Sequence, residues 1–139
     1  MAITYENVIF DRVISSVHSL VADEFNIPIY FDKHSDNQSF LITPSNDEQL
    51  DTLANGQLRT NTINISYELD FSGNYTKNNM KQITEITERL KRLLFNNKTY
   101  SVSGTNKYRN GLVESIIYER EDDKSRSIIT FSCQTMELV

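Results

Sequence analysis

A change of rhythm between residues 62 and 94 constrains what this chain can fold into. Over residues 62–71, Ile63, Ile65, Tyr67, Leu69 and Phe71 alternate with Thr62, Asn64, Ser66, Glu68 and Asp70. A strict period of two predicts a strand with one buried and one wet face. Ser72-Gly73-Asn74 reads as a turn. The period then lengthens: Met80, Ile83, Ile86, Leu90, Leu93 and Leu94 recur three and four residues apart. That spacing predicts an amphipathic helix with one apolar stripe. The strand supplies a hydrophobic sheet face, and the helix after it supplies a stripe to cover that face.

The rest of the chain reads around this pair. Residues 5–23 predict a first helix with Thr4 as its N-cap. Ile9, Val13, Val17 and Leu20 form its apolar row, widened by Phe10, Ile14 and Val21, and His18 falls at the edge. Residues 27–31 predict a short strand. Pro28 cannot donate to a ladder, so it belongs at a sheet edge or a strand start. Residues 39–43 predict a partner strand, the two joined as a hairpin. Residues 44–59 are mostly polar, with an Asn55-Gly56 turn signal, and read as a long loop: a contact arm or a mobile surface segment.

Thr76 or Asn78 is the expected cap of the second helix. Its charges favour Glu85–Arg89 and Glu88–Arg92 pairing. Arg89, Lys91, Arg92 and Lys98 read as a phosphate contact or as a solvated helix face. Strands are expected at residues 99–103, 112–120 and 126–138, the last two as a hairpin across a charged loop. In the first of that pair, Leu112, Glu114, Ile116, Tyr118 and Arg120 are assigned to one face, and Val113, Ser115, Ile117 and Glu119 to the other. In the second, Ile129, Phe131 and Cys133 are assigned to the covered side. Gly56, Gly73, Gly104 and Gly111 all fall at expected turns. Grouped strands and helices predict a single α+β domain, a mostly antiparallel sheet with two helices packed on one face.

Composition narrows function more than it names it. At 139 residues the chain is one domain by length. A net charge of −5 disfavours a protein whose task is gripping phosphates, since counterion release on a basic surface drives that binding. The apolar runs are far too short to span a bilayer. The start has neither a basic region nor an apolar core, so no export is expected and the three Asn-X-Ser/Thr matches carry no weight. One cysteine, Cys133, fits a reducing compartment and a buried structural role. Two histidines and one cysteine are too few for a zinc site. No cofactor or metal is expected. Glu68 and Asp70 project from one strand face and read either as acid–base carboxylates in a cleft or as an exposed strand surface. If the helices cover one sheet face, the other is wide, flat and polar, and such a face with open edges calls for a covering partner.

The order of elements resembles the tail terminator (tail completion) proteins of tailed bacteriophages. These are small acidic α+β proteins of about this length that end in a β-hairpin. The likeness lies in Ile65-Ser66-Tyr67-Glu68-Leu69-Asp70-Phe71 before the second helix and in the closing Ile128-Ile129-Thr130-Phe131-Ser132-Cys133-Gln134. It covers residues 5–23, 27–43, 62–96 and 112–138. The resemblance implies a structural virion protein rather than an enzyme. Such a protein forms a hexameric ring that caps the tail tube and joins it to the head connector. DNA passes through the ring without specific binding, and assembly takes place in the host cytoplasm. Asp47, Glu48, Asn55 and Arg59 in the long loop, and Asp122, Asp123 and Lys124 in the charged loop, would then contact partners. A head-closure or stopper protein of the neck fits the same size and charge. From another class, a small α+β ligand-binding domain or enzyme would use Glu68, Asp70 and His34 in a cleft on the sheet.

Overall fold

The computed structural model describes residues 2–3, 5–53, 56–70 and 79–138. The first helix opens as a π-helical segment, Ile9–Ile14, and continues as α1, Ser15–Glu24. It begins later than residue 5, and the expected cap, Thr4, lies outside the described residues. The remaining elements are β1 (Ile29–Tyr30), β2 (Gln38–Leu53), β3 (Gly56–Asp70), α2 (Asn79–Asn96), β4 (Tyr100–Val102), β5 (Thr105–Arg120) and β6 (Lys124–Leu138). The strands form one six-stranded sheet in the order β1-β2-β3-β6-β5-β4, antiparallel except for β1 beside β2. Both helices pack on one face, so the fold is α+β with the expected layering.

The core lies where the two sequence periods meet. Ile63, Ile65 and Tyr67 of β3 and Ile129, Phe131 and Cys133 of β6 are buried, facing Val13, Val17 and Val21 of the first helix and Ile83, Leu90 and Leu94 of α2. Phe40 of β2 packs between Phe25 and Tyr67, with ring centroids 5.1 and 5.4 Å away. Thr87, buried in the α2 stripe, bonds Ser127 of β6 at 2.6 Å and fixes the helix to the sheet without an orphaned hydroxyl. The Thr76 and Asn78 caps and the turn at Gly73 lie outside the described residues.

Several expectations change. The segment 44–59 is not a loop. β2 and β3 pair continuously from Gln38↔Leu69 to Leu53↔Gly56, with register shifts at Pro44/Asn46 and Gln49/Asp51. The side chains of residues 44–50 are exposed on both faces. The segment therefore shows no apolar alternation, and its strand character comes from backbone pairing alone. Pro44 sits at a bulge on the outer strand, where its missing N–H is not needed.

β1 and β2 are parallel rather than a hairpin, with Ile29 opposite Phe40. The connecting residues 31–37 turn back over the open face of the sheet, helped by Asp36 at φ 65°. Gly111 is not at a turn. β5 runs through it, and Asn110, at φ 54°, and Gly111 lie in a register shift between Arg109 and Leu112. A second shift between Val113 and Ser115 breaks the expected alternation: Val113 (opposite Phe131) and Ile116 (opposite Ile129) both pack against the core.

The helix charges also pair differently. Arg89 reaches Glu24 at the end of α1, at 2.8 Å to both its carboxylate and its backbone carbonyl, and lies over the Phe25 ring. Glu85 sits 3.8 Å from Lys81, Glu88 sits 3.9 Å from Lys91, and Arg92 covers Phe95. A carbonyl-rich helix end beside a desolvating ring holds a guanidinium better than an exposed i,i+4 carboxylate does. Among the described residues no helix is long and apolar enough to cross a membrane.

Candidate functional site

The sheet face opposite the helices carries Ser66 and Glu68 of β3, Arg126 and Ile128 of β6, Leu41 of β2 and Ile117 of β5, in rows fixed by the register. The returning segment 31–37 lays His34 on this face. Its ring nitrogens lie 2.7 Å from Ser39 Oγ and 2.9 Å from Ser66 Oγ. A neutral imidazole has one donor and one acceptor nitrogen, so it donates to one serine and accepts from the other. Burial lowers the His34 pKa from its ordinary value, against the opposing pull of the Glu68 carboxylate.

Beside it, Arg126 donates to Glu68 at 3.0 Å, to Glu119 at 2.7 Å and to Glu121 at 3.3 Å. Together His34, Ser66, Glu68, Arg126, Leu41 and Ile128 line a concavity of about 460 Å³. Asp70 is not among its lining residues, although the expected cleft included it. The face is therefore polar but not flat, and a partly apolar row of Leu41, Ser66, Ile128 and Ile117 crosses it. In this arrangement Glu68 is tied to a guanidinium and both nitrogens of His34 are tied to hydroxyls. Both groups are satisfied within the protein.

A broader groove of about 760 Å³ follows the seam between the end of α1 and α2. Several of its polar groups are likewise held within the protein: Arg89 to Glu24, and Gln38 and Gln82 to the hydroxyl of buried Tyr67. Among the described residues no three His, Cys, Asp or Glu side chains are arranged to hold a metal ion.

The seven expected contact residues fall in two places. Asp47 and Arg59 face each other across β2 and β3 at 3.0 Å, and Arg59 continues to Glu137 at 2.9 Å, so this arginine ties three strands together. Glu48 is exposed on β2, and Asn55 lies outside the described residues. Asp122 and Asp123 are exposed in the β5–β6 turn, and Lys124 is 3.8 Å from Glu121. The two groups lie far apart along β6: Asp47, Glu48 and Arg59 are level with residues 133–135, whereas Lys124 opens the strand, a separation of roughly 33 Å at about 3.3 Å per residue.

β1 lies at a sheet border, as Pro28 implied, but the open stretches of the two borders were not foreseen. β4 covers β5 only over Thr105–Tyr108, and the Gly111 N–H is bonded to the Lys98 carbonyl at 2.8 Å. From residue 112 to 120 the outer edge of β5 has no strand partner among the described residues. Leu112 and Ile117 there are 58% and 53% exposed, with Tyr118 next to them. On the opposite side, β1 covers β2 only at Phe40 and Leu41, and residues 42–53 have no outer strand among the described residues. A reading of periodicity finds strands but not their neighbours, so edges become visible only with the strand order.

Fold and surfaces together define an α+β protein with one covered sheet face, one polar face and two long open edges. No protein-family model matches the chain, and no curated protein matches it significantly.

Proposed function

We propose that this chain is a structural, self-assembling subunit, and that it serves as a ring-forming tail terminator of a tailed bacteriophage. In that role it would cap the tail tube and join it to the head connector. The observation that carries the reading is the free edge of β5. Monomeric proteins blunt such edges with charge, proline or cover; residues 112–120 carry the charges Glu114, Glu119 and Arg120, yet beside them stand exposed Leu112, Ile117 and Tyr118 and a backbone edge with no strand partner among the described residues. A closed ring removes an edge of this kind by supplying a neighbour to each copy.

The β2–β3 hairpin supports the same reading. It continues as a paired, polar ribbon suited to reaching a second protein, with Glu48 exposed on it. The net charge of −5 suits a lumen through which DNA slides without being held. The location implied is the virion tail or neck, after assembly in the host cytoplasm. A head-closure or stopper role shares these features and differs in the partner bound.

The test is the solution mass by light scattering across a concentration series, alone and with purified tail tubes. The expected outcome is a mass near a ring multiple of 16.1 kDa, or ring-shaped particles at tube ends. A mass that stays at one chain under both conditions overturns the reading.

The concavity around His34, Ser66 and Glu68 favours a second reading, a small ligand-binding domain or enzyme on the open sheet face. A thermal-shift screen of small metabolites separates the two. A stabilising ligand whose effect disappears in Ser66→Val supports a binding site, and a screen without hits leaves the structural role.

A further inference from the structure

We infer that two copies of this chain pair through their free β5 edges, antiparallel about a two-fold axis through Ile117, so that Glu114 of each copy faces Arg120 of the other. The inference goes beyond the ring proposed above and does not depend on it. It concerns the free chain, away from any tail tube, and says what covers the edge there.

The usable edge comes first. β4 covers β5 up to Tyr108, and the Gly111 N–H is held by the Lys98 carbonyl. Beyond that point residues 112–120 have no outer strand among the described residues. From Ser115 to Arg120 the strand is regular, each residue opposite one residue of β6 in turn. A regular edge of this kind offers its outward N–H and C=O groups to another strand.

Register comes next. A strand that meets its own copy across a two-fold axis brings one residue opposite itself, and its neighbours follow in pairs. Centred on Ile117, the two strands oppose Ile117 to Ile117, Ile116 to Tyr118, Ser115 to Glu119 and Glu114 to Arg120. Centred on Ile116, Glu114 meets Tyr118 and Arg120 meets Leu112. Centred on Tyr118, Glu114 meets Asp122. Centred on Ser115, the ladder runs into residues 110 and 111, where Lys98 already stands. Of these four registers, the one on Ile117 alone opposes carboxylate to guanidinium while staying on the free edge, and it does so twice.

The side chains agree with that register. Glu114 and Arg120 are exposed and have no ion-pair partner among the described residues, whereas Glu119 is already bonded to Arg126. Ile117 is 53% exposed and ends the row Leu41–Ser66–Ile128–Ile117 on the open face. The two-fold axis joins this row to its copy, Ile117 against Ile117, and two six-stranded sheets become one with both pairs of helices on the same side. Charges on an edge also serve to keep monomers apart. Charges of one sign would do that. Here the signs are opposite and stand equally far from an apolar centre, the pattern of a self-complementary contact.

The experiment follows mass by light scattering over a concentration series without tail tubes. The parent should rise from 16.1 kDa toward twice that value. Glu114→Arg and Arg120→Glu, each at an exposed position and checked for an unchanged far-UV spectrum, should each raise the dissociation constant roughly tenfold or more, because two attractive pairs become two repulsive ones. An equimolar mixture of the two variants should recover the parent's affinity, since the mixed pair again opposes acid to base at both ends. Ile117→Cys sets two thiols opposite each other, within disulfide reach, and should crosslink on mild oxidation; Leu112→Cys, far from its copy in this register, should not. A parent that stays at 16.1 kDa together with an Ile117→Cys chain that does not crosslink overturns the inference, and rings formed at tail tubes would still stand. Reversal variants that pair as tightly as the parent overturn it as well, because the copies then meet elsewhere. Charge-dependent pairing without rings at tail tubes supports the inference and sinks the ring reading.

Discussion

Gly111→Ala is the substitution on which the packing of this sheet can be tested most sharply. Gly111 lies inside β5 and is not in the left-handed region, so an alanine can adopt its backbone conformation. Space is the obstacle. A Cβ there would stand 2.7 Å from Phe131 Cζ, 3.0 Å from Cε1 and 3.1 Å from the Lys98 carbonyl oxygen.

Carbon–carbon contacts settle at about 3.5–4.0 Å, so the phenyl ring would have to retreat by about 0.8 Å. Phe131 is fully buried, with Tyr108 edge-on at 5.7 Å. The carbonyl is held in place by the Gly111 N–H. Overpacking a filled core costs about 1–3 kcal/mol, and loss of glycine freedom in the unfolded chain offsets about 0.4–1 kcal/mol of that. The expected net destabilisation is about 1–2 kcal/mol, a fall in Tm of roughly 3–8 °C for a chain of this length.

Urea unfolding at one fixed protein concentration reads the change as a lower midpoint with an unchanged slope. Phe131→Leu provides the control, because the shorter side chain vacates the contested space and Gly111→Ala should then cost measurably less. An alanine variant as stable as the parent, or one with the same cost in the leucine background, would refute the argument.

Three further outcomes are expected. Burial lowers the His34 pKa, so between that value and about 6.5 the unfolded chain binds more protons than the folded one. Stability should therefore rise with pH across that window and be lost as pH falls through it; His34→Asn should flatten this part of the pH–stability curve, and identical curves would sink the idea. Cys133 is 1% exposed and its thiol pKa is pushed up to about 12 by burial, so a maleimide at pH 8 should label it only once urea unfolds the chain; rapid labelling of native protein would contradict its burial. Arg126→Ala leaves Glu68, Glu119 and Glu121 without their shared cation and should cost about 1–3 kcal/mol, with Arg126→Lys intermediate because it keeps charge but loses the fork; an unchanged midpoint in both would show that the network contributes nothing.

Legibility in the sequence followed from which surfaces are covered. β3 and α2 were readable because each buries one side, so Ile63, Ile65 and Tyr67, or Ile83, Leu90 and Leu94, recur at the period of their element. The outer half of β2 was not, because exposed Asp47, Glu48 and Leu50 carry no such period and the segment is held by β3 alone. In β5 the shift between Val113 and Ser115 moved the alternation out of phase midway. The two-residue β1 was too short for its direction to be inferred.

The concavity was harder still. His34 comes from a connection, Ser39 from β2, Ser66 and Glu68 from β3 and Arg126 from β6. Only the register, which no local pattern encodes, brings them together. The pairing of Glu68 with Arg126 follows once those two residues are known to face each other across β3 and β6.

The place of β6 in the middle of the sheet has a consequence for how the chain is made. β6 is the last of the six strands to leave the ribosome, yet it separates β3 from β5. Until it emerges, the nascent chain holds two unjoined pieces: β1, β2 and β3 on one side, β4 and β5 on the other. Each has a raw inner border, and the apolar residues of β3 lack half of their final neighbours. Folding of this domain is therefore expected to be a late, nearly single event rather than a gradual one. Ribosome-arrested chains that stop before β6 should be digested throughout by protease, with protection of β3 and α2 appearing together once β6 is clear. Early protection of the N-terminal piece would show that it folds as a unit by itself.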